Sequence, residues 1–397
     1  MHDAKALKRL YYALFFGNYF FSHCAFIRAF ILEEGKIPYT VHFTFNNIGL
    51  SEPAINFQGL ILIRAAIVGL GAWGKTLVDS VQSTPGPIHF TTAFTRSPDK
   101  VRSYCLDQAI RLAPSWNAVL ADPDIDAIVL ATPNSQHEIQ ITQAARALKH
   151  VYVEKPFTLN LKGALNALEA VKLAGVTLGV GLNRRFHPNM IELIDRVKTG
   201  KLGVIGSMNA ELTATSGFYR PTTSWRVRED EEPAGALVSV GIHLIDAMVA
   251  MAGPVSHVHC VASCRGGPHG NDTTHLMLQF TSGVTGLIYC SVAAARNHRI
   301  AVYGTQGFAE ILKPQMDTFR FIPSVSGRAS HLAKIPEAEV IERPGFNYVG
   351  ESLKHFAQCI EHKTPYPISP NDLLHEERIL AAAIESASTH HQIQIVD

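Results

Sequence analysis

The sequence predicts a chain of the α/β class, in which a doubly wound parallel sheet is followed by an α+β half with a large open antiparallel sheet. Three observations predict this arrangement. An apolar run at 62–68 leads into a glycine-rich turn, apolar segments of strand and helix length then alternate up to residue 180, and residues 208–214 alternate with a period of two. Alternating strands and helices favour a parallel sheet, whereas a period of two is typical of a half-exposed antiparallel strand.

The elements of the first half follow from the spacing of apolar residues. Short, nearly continuous apolar runs predict strands that are buried on both faces. The predicted strands are 62–68, 88–95, 127–131, 151–153 and 176–180. Helical spacing predicts a helix over 73–82, a helix over 136–149 and a third helix that ends at Gly175. In the second of these helices, the predicted inward residues are Ile139, Ala144, Ala145 and Leu148.

In the second half, turn residues separate the predicted strands. Thr281-Ser282-Gly283 lies between the apolar runs 276–280 and 284–292, which predicts a hairpin. The other predicted elements are a strand at 300–303 with a turn at 304–307, and helices around 348–362 and 375–388.

The composition is that of an ordinary globular protein. The chain has 397 residues, of which 47% are hydrophobic, and a formal net charge of +1, so no basic surface for a nucleic acid is expected. Its six cysteines form no CxxC pair, which favours reduced thiols and a cytoplasmic location. His257 and His259 would share one face of a strand while Cys260 points to the other, so no metal site is expected there.

The first 60 residues stand apart from the rest. Residues 11–32 are nearly all apolar and long enough to span a bilayer, but Asn18, His23 and Arg28 interrupt them. Three interpretations stay open: the working protein starts just before Ile61, residues 11–32 anchor it in a membrane, or they form an extra element. We favour the first. The expected segments are an extension (1–60), a nucleotide-binding domain (61–184) and an α+β domain for substrate binding and oligomerisation (185–397).

The glycine loop at 69–74 predicts that the first domain binds a dinucleotide. Gly69 permits the tight turn after the strand, Gly71 lets a pyrophosphate approach the backbone, and Gly74 allows the helix to pack closely on the strand. The phosphates would then lie at the start of the helix, beside Ala72 and Trp73. The motif has the context it requires, because it follows a predicted strand and opens a predicted helix.

The residues after the second predicted strand bear on the cofactor. Enzymes that use NAD usually carry an acidic residue there to bind the ribose hydroxyls, whereas this chain has Thr95-Arg96-Ser97. A guanidinium beside two hydroxyls suits a 2′-phosphate. The sequence therefore favours NADP(H). NAD(H) is the alternative, because Asp99 lies nearby as a candidate ribose ligand.

Two further motifs carry candidate catalytic residues. Lys155 stands between a glutamate and a proline just after a predicted strand, and ligands bind at the carboxyl ends of strands in parallel sheets. A lysine beside a cofactor cleft is a better candidate for chemistry than the usual exposed lysine. At helical spacing, Ser239, His243 and Asp246 would fall on one face, where His243 is expected to exchange a proton with the substrate.

In this order and spacing, the motifs resemble those of the glucose–fructose oxidoreductase, inositol dehydrogenase and rhizopine-catabolism (Gfo/Idh/MocA) family over residues 62–397. As a set they are specific, whereas singly only the lysine tripeptide is. Besides the glycine loop they are Ala131-Thr132-Pro133-Asn134-x-x-His137, Glu154-Lys155-Pro156, Asn183-Arg184-Arg185, Trp225-Arg226, Gly241-x-His243-x-x-Asp246 and Tyr303-Gly304-Thr305-x-Gly307.

The resemblance implies a Rossmann domain, a second domain whose open sheet forms a homodimer or homotetramer, and a small-molecule substrate rather than a nucleic acid or a membrane. It implies that Lys155 and His243 hold the reacting oxygen, with a Lys155–Pro156 bond that is often cis. The candidate cofactor residues are Gly69, Gly71, Ala72, Trp73, Gly74, Thr95, Arg96, Ser97, Thr132, Pro133, Asn134, His137, Glu154 and Lys155. The candidate substrate residues are Asn183, Arg184, Arg226, Ser239 and His243.

One position departs from the family pattern. Many family dehydrogenases carry an aspartate four residues before the histidine, where this chain has Ser239, so His243 is expected to be a weaker base. The expected function is hydride transfer between a nicotinamide and a hydroxyl or carbonyl carbon of a sugar, polyol or derivative. The alternatives are a catalytically weak, nucleotide-binding regulatory protein and redox-assisted glycoside cleavage.

Overall fold

The computed structural model of the chain describes residues 62–228, 230–267, 270–325, 334 and 336–396. The predicted extension at 1–60, with its apolar stretch at 11–32, lies outside these residues. Within the described ranges, no helix combines the length and the apolar character needed to cross a bilayer.

The first half is built on a parallel sheet. Its strands are β1 (Ile63–Val68), β2 (Ile88–Phe94), β3 (Arg111–Leu112), β4 (Ala127–Leu130), β5 (His150–Val153) and β6 (Leu178–Val180). Its helices are α1 (Ala72–Gln82), α2 (Arg102–Asp107), α3 (Trp116–Ala121), α4 (His137–Arg146) and α5 (Leu161–Ala174). The strand order is β3-β2-β1-β4-β5-β6 and every neighbouring pair is parallel, which confirms the predicted Rossmann topology.

The inward face of α4 differs from the predicted one. Ala144 and Ala145 are buried as expected, but Ile139 is 57% exposed, and Leu148, which follows the helix, is 69% exposed. The prediction that these two residues face inward was wrong. The buried side of the helix carries His137, Gln140 and Ile141 besides the two alanines, and its two polar side chains are hydrogen-bonded to the backbone oxygen of Pro156 and to the Thr132 hydroxyl.

The second half is built on a larger mixed sheet. Its strands are β7 (Ile205–Thr213), β8 (Val255–Ser263), β9 (Thr273–Phe280), β10 (Thr285–Ser291), β11 (Asn297–Gly304), β12 (Gly307–Leu312), β13 (Thr318–Pro323), β14 (Glu339–Glu342) and β15 (Ile393–Gln394). Among the described residues they form one sheet of order β14-β13-β12-β11-β7-β10-β9-β8-β15. The predicted antiparallel sheet is confirmed, including the hairpin at 281–283, although β7 and β10 pair in parallel.

The described residues of the second half form four α-helices, one of which packs on the parallel sheet of the first half. They are α6 (Pro188–Lys198), α7 (Ile242–Ala252), α8 (Tyr348–His362) and α9 (Pro370–Thr389). Nine of the eleven residues of α7 are buried, because this helix packs against β7, α6, α9 and the turn at 183–186. Helix α8 packs on β5, where the rings of Tyr152 and Phe356 lie 5.6 Å apart. The Tyr152 hydroxyl lies 2.9 Å from Ser352 Oγ.

Candidate active site

The glycine loop between β1 and α1 is packed so tightly that two of its positions require glycine. Gly69 has a φ of +93°, and a Cβ atom there would lie 2.5 Å from the backbone oxygen of Ala131. A Cβ on Gly74 would lie 2.2 Å from the backbone oxygen of Gly69. A Cβ on Gly71, by contrast, would meet no atom within 4 Å, so the loop is open at the position where a pyrophosphate approaches.

The start of α1 fits an anionic ligand. The helix begins at Ala72, no side chain caps it, and its first turn contains no acidic residue. The first N–H groups of a helix have no partners within the helix and carry a partial positive charge. These groups therefore suit the pyrophosphate of a dinucleotide.

A cleft of about 220 Å³ opens in front of the glycine loop. Arg96 lies in it and is exposed, and no ion pair of this side chain occurs within the part of the chain that the structure describes. Asp99, the alternative ribose ligand, is held 2.9 Å from Arg102 by an ion pair. The cleft is lined by Val68, Gly69, Leu70, Gly71, Phe94, Thr95, Arg96, Ser97, Ala131, Thr132, Pro133, Gln136, Gln140 and Trp225.

The loop after β4 divides its candidate residues between two environments. Thr132 and Pro133 line the cleft. His137 is fully buried, with its two ring nitrogens 2.8 Å and 3.2 Å from the backbone oxygens of Pro156 and Thr132. Asn134 is also buried, and its side-chain amide donates to the backbone oxygen of Glu231 at 2.7 Å. The structure therefore places Asn134 and His137 beneath the cleft, where they tie the loop to its neighbours.

Glu154 lies at the carboxyl end of β5, in a space that a glycine leaves for it. A Cβ on Gly181 would lie 2.6 Å from Glu154 Oε1. The carboxylate is buried, is hydrogen-bonded by the Trp73 side chain, and accepts from the backbone N–H of Lys155 at 3.3 Å. Burial raises the pKa of Glu154 to about 7 despite these contacts.

Lys155 follows Glu154, and its bond to Pro156 is cis, as the family resemblance implies. Its ammonium donates to the backbone oxygen of Ser239 and lies 3.5 Å from the backbone oxygen of Val238. Burial lowers the pKa of Lys155 to about 8, although the charges of Glu154 and Glu232 oppose this shift. The lysine is therefore close to the point at which it gains or loses a proton near neutral pH.

The segment before α7 is a π-helix rather than a continuous α-helix. It covers Leu237–Gly241, and its wider turn changes the direction of Ser239 relative to His243. The predicted α-helical face is therefore wrong for Ser239, whereas His243 and Asp246 lie three residues apart in α7 as expected. Asp246 instead forms a two-point ion pair with Arg185, at 2.9 Å and 2.8 Å, and does not serve as a partner of the histidine.

His243 lies in a cationic environment. It is 9% exposed, and its Nδ1 has no hydrogen-bond partner among the described residues. Burial, followed by the positive charges of Lys155 and Arg184 and by His298, holds the pKa of His243 well below its usual value. The imidazole is therefore neutral at physiological pH, and no carboxylate facing it counters this effect in the described parts of the chain.

The hydroxyl of Ser239 binds a residue that the sequence interpretation missed. It donates to Oε2 of Glu232 at 2.6 Å, and Arg220 contacts both groups, with Nη1 2.8 Å from Glu232 Oε2 and Nη2 2.9 Å from Ser239 Oγ. The adjacent Glu231 accepts from Ser135 in the nucleotide loop at 3.0 Å and 2.6 Å. The only signal in the sequence is the pair Glu231-Glu232, which stands shortly before the segment that contains Ser239 and His243. We refer to Glu154, Lys155, Glu232, Ser239 and His243 as the lysine cluster.

The remaining candidate substrate residues lie at two edges of this cluster. Asn183 and Arg184 form the turn after β6, where Asn183 is buried and Arg184 has a buried Nη1 without a hydrogen-bond partner in the described ranges. Arg226 stacks on Trp225 at 4.1 Å and lies 3.7 Å from Glu232. Across residues 62–396, as far as they are described, no group of three or more His, Cys, Asp or Glu side chains could hold a metal ion.

A parallel sheet with an open glycine loop, together with Ser239 and His243 beside a lysine at the end of β5, is the arrangement of a nucleotide-dependent oxidoreductase. Residues 63–182 match the family model described as an oxidoreductase family with an NAD-binding Rossmann fold, and residues 190–310 match the GFO/IDH/MocA C-terminal domain. The chain belongs to the Gfo/Idh/MocA family of NAD(P)-dependent oxidoreductases.

Individual relatives agree with this assignment. The uncharacterised oxidoreductase YrbE of Bacillus subtilis is 30% identical over 333 residues, which cover 82% of this chain and 94% of YrbE. The scyllo-inositol 2-dehydrogenase (NAD(+)) of the same organism is 29% identical, covering 76% of this chain and 88% of that enzyme. The crystal structure of aldose-aldose oxidoreductase from Caulobacter crescentus shares the fold, with a TM-score of 0.73 and 23% identity over 84% of this chain and 99% of that chain.

Proposed function

We propose that this chain transfers a hydride between NADP(H) and a hydroxyl or carbonyl carbon of a small polyhydroxy compound, a cyclic polyol or a sugar. The relatives named for scyllo-inositol and aldose support this substrate class. The observation that carries the proposal is the position of Lys155 at the end of β5, the strand next to the one whose loop lines the nucleotide cleft; its half-buried ammonium is held by the backbone oxygen of Ser239 and has a pKa of about 8. When bound, the nicotinamide supplies the hydride acceptor or donor.

Lys155 is proposed to hold the reacting oxygen and to exchange its proton. A buried ammonium stabilises a developing alkoxide far better than an exposed one, since water does not screen it. A pKa near the working pH suits a group that must donate a proton in one direction and accept it in the other. This assignment differs from the expectation that His243 exchanges the proton.

His243 is proposed to orient the substrate as a neutral hydrogen-bonding group. Its low pKa makes it a poor base at neutral pH, but its unpartnered Nδ1 is available to a substrate hydroxyl. Arg184, with its unpartnered Nη1, and Asn183 in the same turn are proposed to bind other hydroxyls. Arg226 is proposed to close the site on the side of Trp225.

A preference for NADP(H) over NAD(H) is proposed from the end of β2. Arg96 lies in the cleft between Thr95 and Ser97, and Asp99 is paired with Arg102. An unpaired guanidinium is suited to a 2′-phosphate, which would repel an acidic residue at this place. The preference would separate this chain from its scyllo-inositol relative, which is named for NAD(+).

We further propose that the chain works as residues 61–184 and 185–397, assembled as a dimer or tetramer through the open sheet. Val261, Leu287 and Tyr303 are 50%, 46% and 39% exposed, and the strand register places them on one face of that sheet. Exposed apolar residues that share a face are typical of an interface. Sedimentation of the full chain tests the assembly, and a chain that begins at Gln58 tests whether the first residues are needed for cofactor binding.

The test of the function has two steps. Titration of nicotinamide fluorescence with NADPH and NADH measures binding, and turnover is then measured against a panel of polyols, sugars and their keto derivatives. The proposal expects cofactor binding and turnover of at least one member of the panel. Binding without turnover of any polyol or sugar would contradict it and would favour a nucleotide-binding regulatory role.

A further inference from the structure

The starting observation is that the position of the missing family aspartate is in contact with a carboxylate. Ser239 occupies that position, and its hydroxyl donates to Oε2 of Glu232 at 2.6 Å. Glu232 lies seven residues earlier, in the loop that precedes the π-helix, and it is only 7% exposed. A carboxylate is therefore present at this point of the site, one hydrogen bond away from where the family pattern has it.

The Glu232 carboxylate is held in place by three neighbouring side chains. Arg220 contacts Oε2 at 2.8 Å and also contacts the Ser239 hydroxyl at 2.9 Å, so the three side chains form a closed hydrogen-bonded ring. Arg226 lies 3.7 Å from Oε1 on the other side. Hydrogen bonds between charged groups are short and directional, so these contacts fix the position of the carboxylate next to Ser239.

Ser239 connects this ring to Lys155. The lysine ammonium donates to the backbone oxygen of Ser239, while the side chain of the same serine is held by Glu232. We propose that Glu232 is a positioning residue for the hydride-transfer reaction: it supplies the carboxylate that position 239 lacks, and through Ser239 it fixes the ammonium of Lys155 and keeps it protonated. This inference rests on the function proposed above, in which Lys155 is the group that holds the reacting oxygen.

The charges around Lys155 define what the removal of Glu232 should do. Negative charge on Glu154 and Glu232 raises the pKa of the lysine. Positive charge on Arg220 and Arg226 lowers it. The groups that face the ammonium are these four and the neutral His243. Without Glu232, both arginines remain and one carboxylate is gone. The Lys155 pKa should then fall by about one pH unit, as expected for the loss of a nearby opposite charge.

Four proteins test the proposal: the parent, Glu232→Gln, the double variant Glu232→Gln/Ser239→Asp, and Asp230→Asn. The last removes an exposed carboxylate from the same loop, where it pairs only with Arg228 among the described residues, and serves as the matched control. The first readout is the pH dependence of acetylation of Lys155 by acetic anhydride, located by mass spectrometry. The second is the pH dependence of kcat/KM on the substrate that the panel identifies.

We expect the labelling midpoint of Lys155 to fall by about one pH unit in Glu232→Gln, to return towards the parent value in the double variant, and to stay unchanged in Asp230→Asn. The limb of the kcat/KM profile should move with it. An unchanged midpoint in Glu232→Gln, or a double variant that behaves like Glu232→Gln, would overturn the proposal.

Two measurements keep the outcomes separate. Labelling needs no turnover, so a parent protein that is inactive on every substrate contradicts the proposed function while the midpoints still report on Glu232. If Glu232→Gln does not fold, as judged from its melting curve, Glu232→Asp takes its place. That variant keeps a carboxylate in the loop but withdraws it from Ser239 by one methylene, so the midpoint should fall by less than one pH unit, and a midpoint equal to that of the parent would overturn the proposal.

Discussion

The nucleotide cleft and the lysine cluster are neighbours in one fold, but the cleft is shaped mainly by main-chain atoms and the cluster by side chains. The cleft is formed by backbone: glycines at 69, 71 and 74, a free helix start at Ala72, and loops after β2 and β4. The cluster is formed by polar and ionisable side chains that are buried or half-buried, with pKa values of about 8 for Lys155 and about 7 for Glu154.

The difference predicts which kind of substitution should damage each site. Backbone geometry is lost when a side chain is added where no room exists, whereas a buried charge cluster is lost when one charge is removed. We therefore expect variants of the cleft to act on stability and cofactor binding, and variants of the cluster to act on the chemical step. The following predictions test that division.

The largest effect is expected from Lys155→Ala. If the ammonium acts on charge that develops in the transition state, its loss should lower kcat by ~10²–10³-fold and leave the affinity for the cofactor nearly unchanged. Steady-state kinetics and fluorescence titration measure the two quantities. Lys162→Ala, which removes an exposed lysine from α5, is the control and should match the parent. Parent-like turnover of Lys155→Ala would mean that the cluster is not catalytic.

The next effect separates two glycines of one loop. Gly74→Ala puts a Cβ 2.2 Å from a backbone oxygen and should cost about 1–3 kcal/mol of stability, or about 1–4 °C in Tm for a folded unit of this size. Gly71→Ala meets no atom within 4 Å, so its Tm should stay near that of the parent while its cofactor affinity falls, since the added methyl faces the pyrophosphate. Calorimetry and fluorescence titration provide the comparison. Equal losses of Tm in the two variants would show that close packing is not what Gly74 provides.

A further effect concerns the choice of cofactor. Because a charge-assisted bond to a phosphate contributes about 1.5–3 kcal/mol, Arg96→Ala should weaken NADPH binding by roughly tenfold or more and leave NADH binding almost unchanged. Arg146→Ala, which removes an exposed arginine outside the cleft at the end of α4, is the matched control. A parent protein that binds both cofactors equally would remove the basis of the NADP preference.

The sequence was sufficient for the parts of the molecule that depend on local patterns. The glycine loop, the alternation of strands and helices and the Lys155 tripeptide are all contiguous features, and the structure has each of them in the predicted element. Strand β3 has only two residues and shows no period of its own. The parallel pairing of β7 with β10 joins segments more than 70 residues apart, which no local pattern encodes.

The candidate site was harder to predict because its contacts cross between elements. Glu232 reaches Ser239 over a loop without regular spacing, so nothing in the sequence distinguishes it from its neighbour Glu231. The grouping of Ser239 with His243 and Asp246 failed because a π-helix interrupts the predicted α-helical register before His243, and Asp246 is paired with Arg185 across elements. Buried polar groups such as His137 also take positions that hydrophobic periodicity reserves for apolar residues.

The central claim is that Lys155, rather than His243, exchanges the proton with the substrate. The most direct measurement is the pH dependence of kcat/KM in the direction of carbonyl reduction, for the parent and for His243→Ala. A protonated lysine donates the proton in this direction, so the rate should fall as the pH rises through about 8. The same limb should remain in His243→Ala, although that variant is slower by ~10-fold or more. A profile that is flat between pH 6 and 9, or a limb that disappears in His243→Ala, would contradict the account.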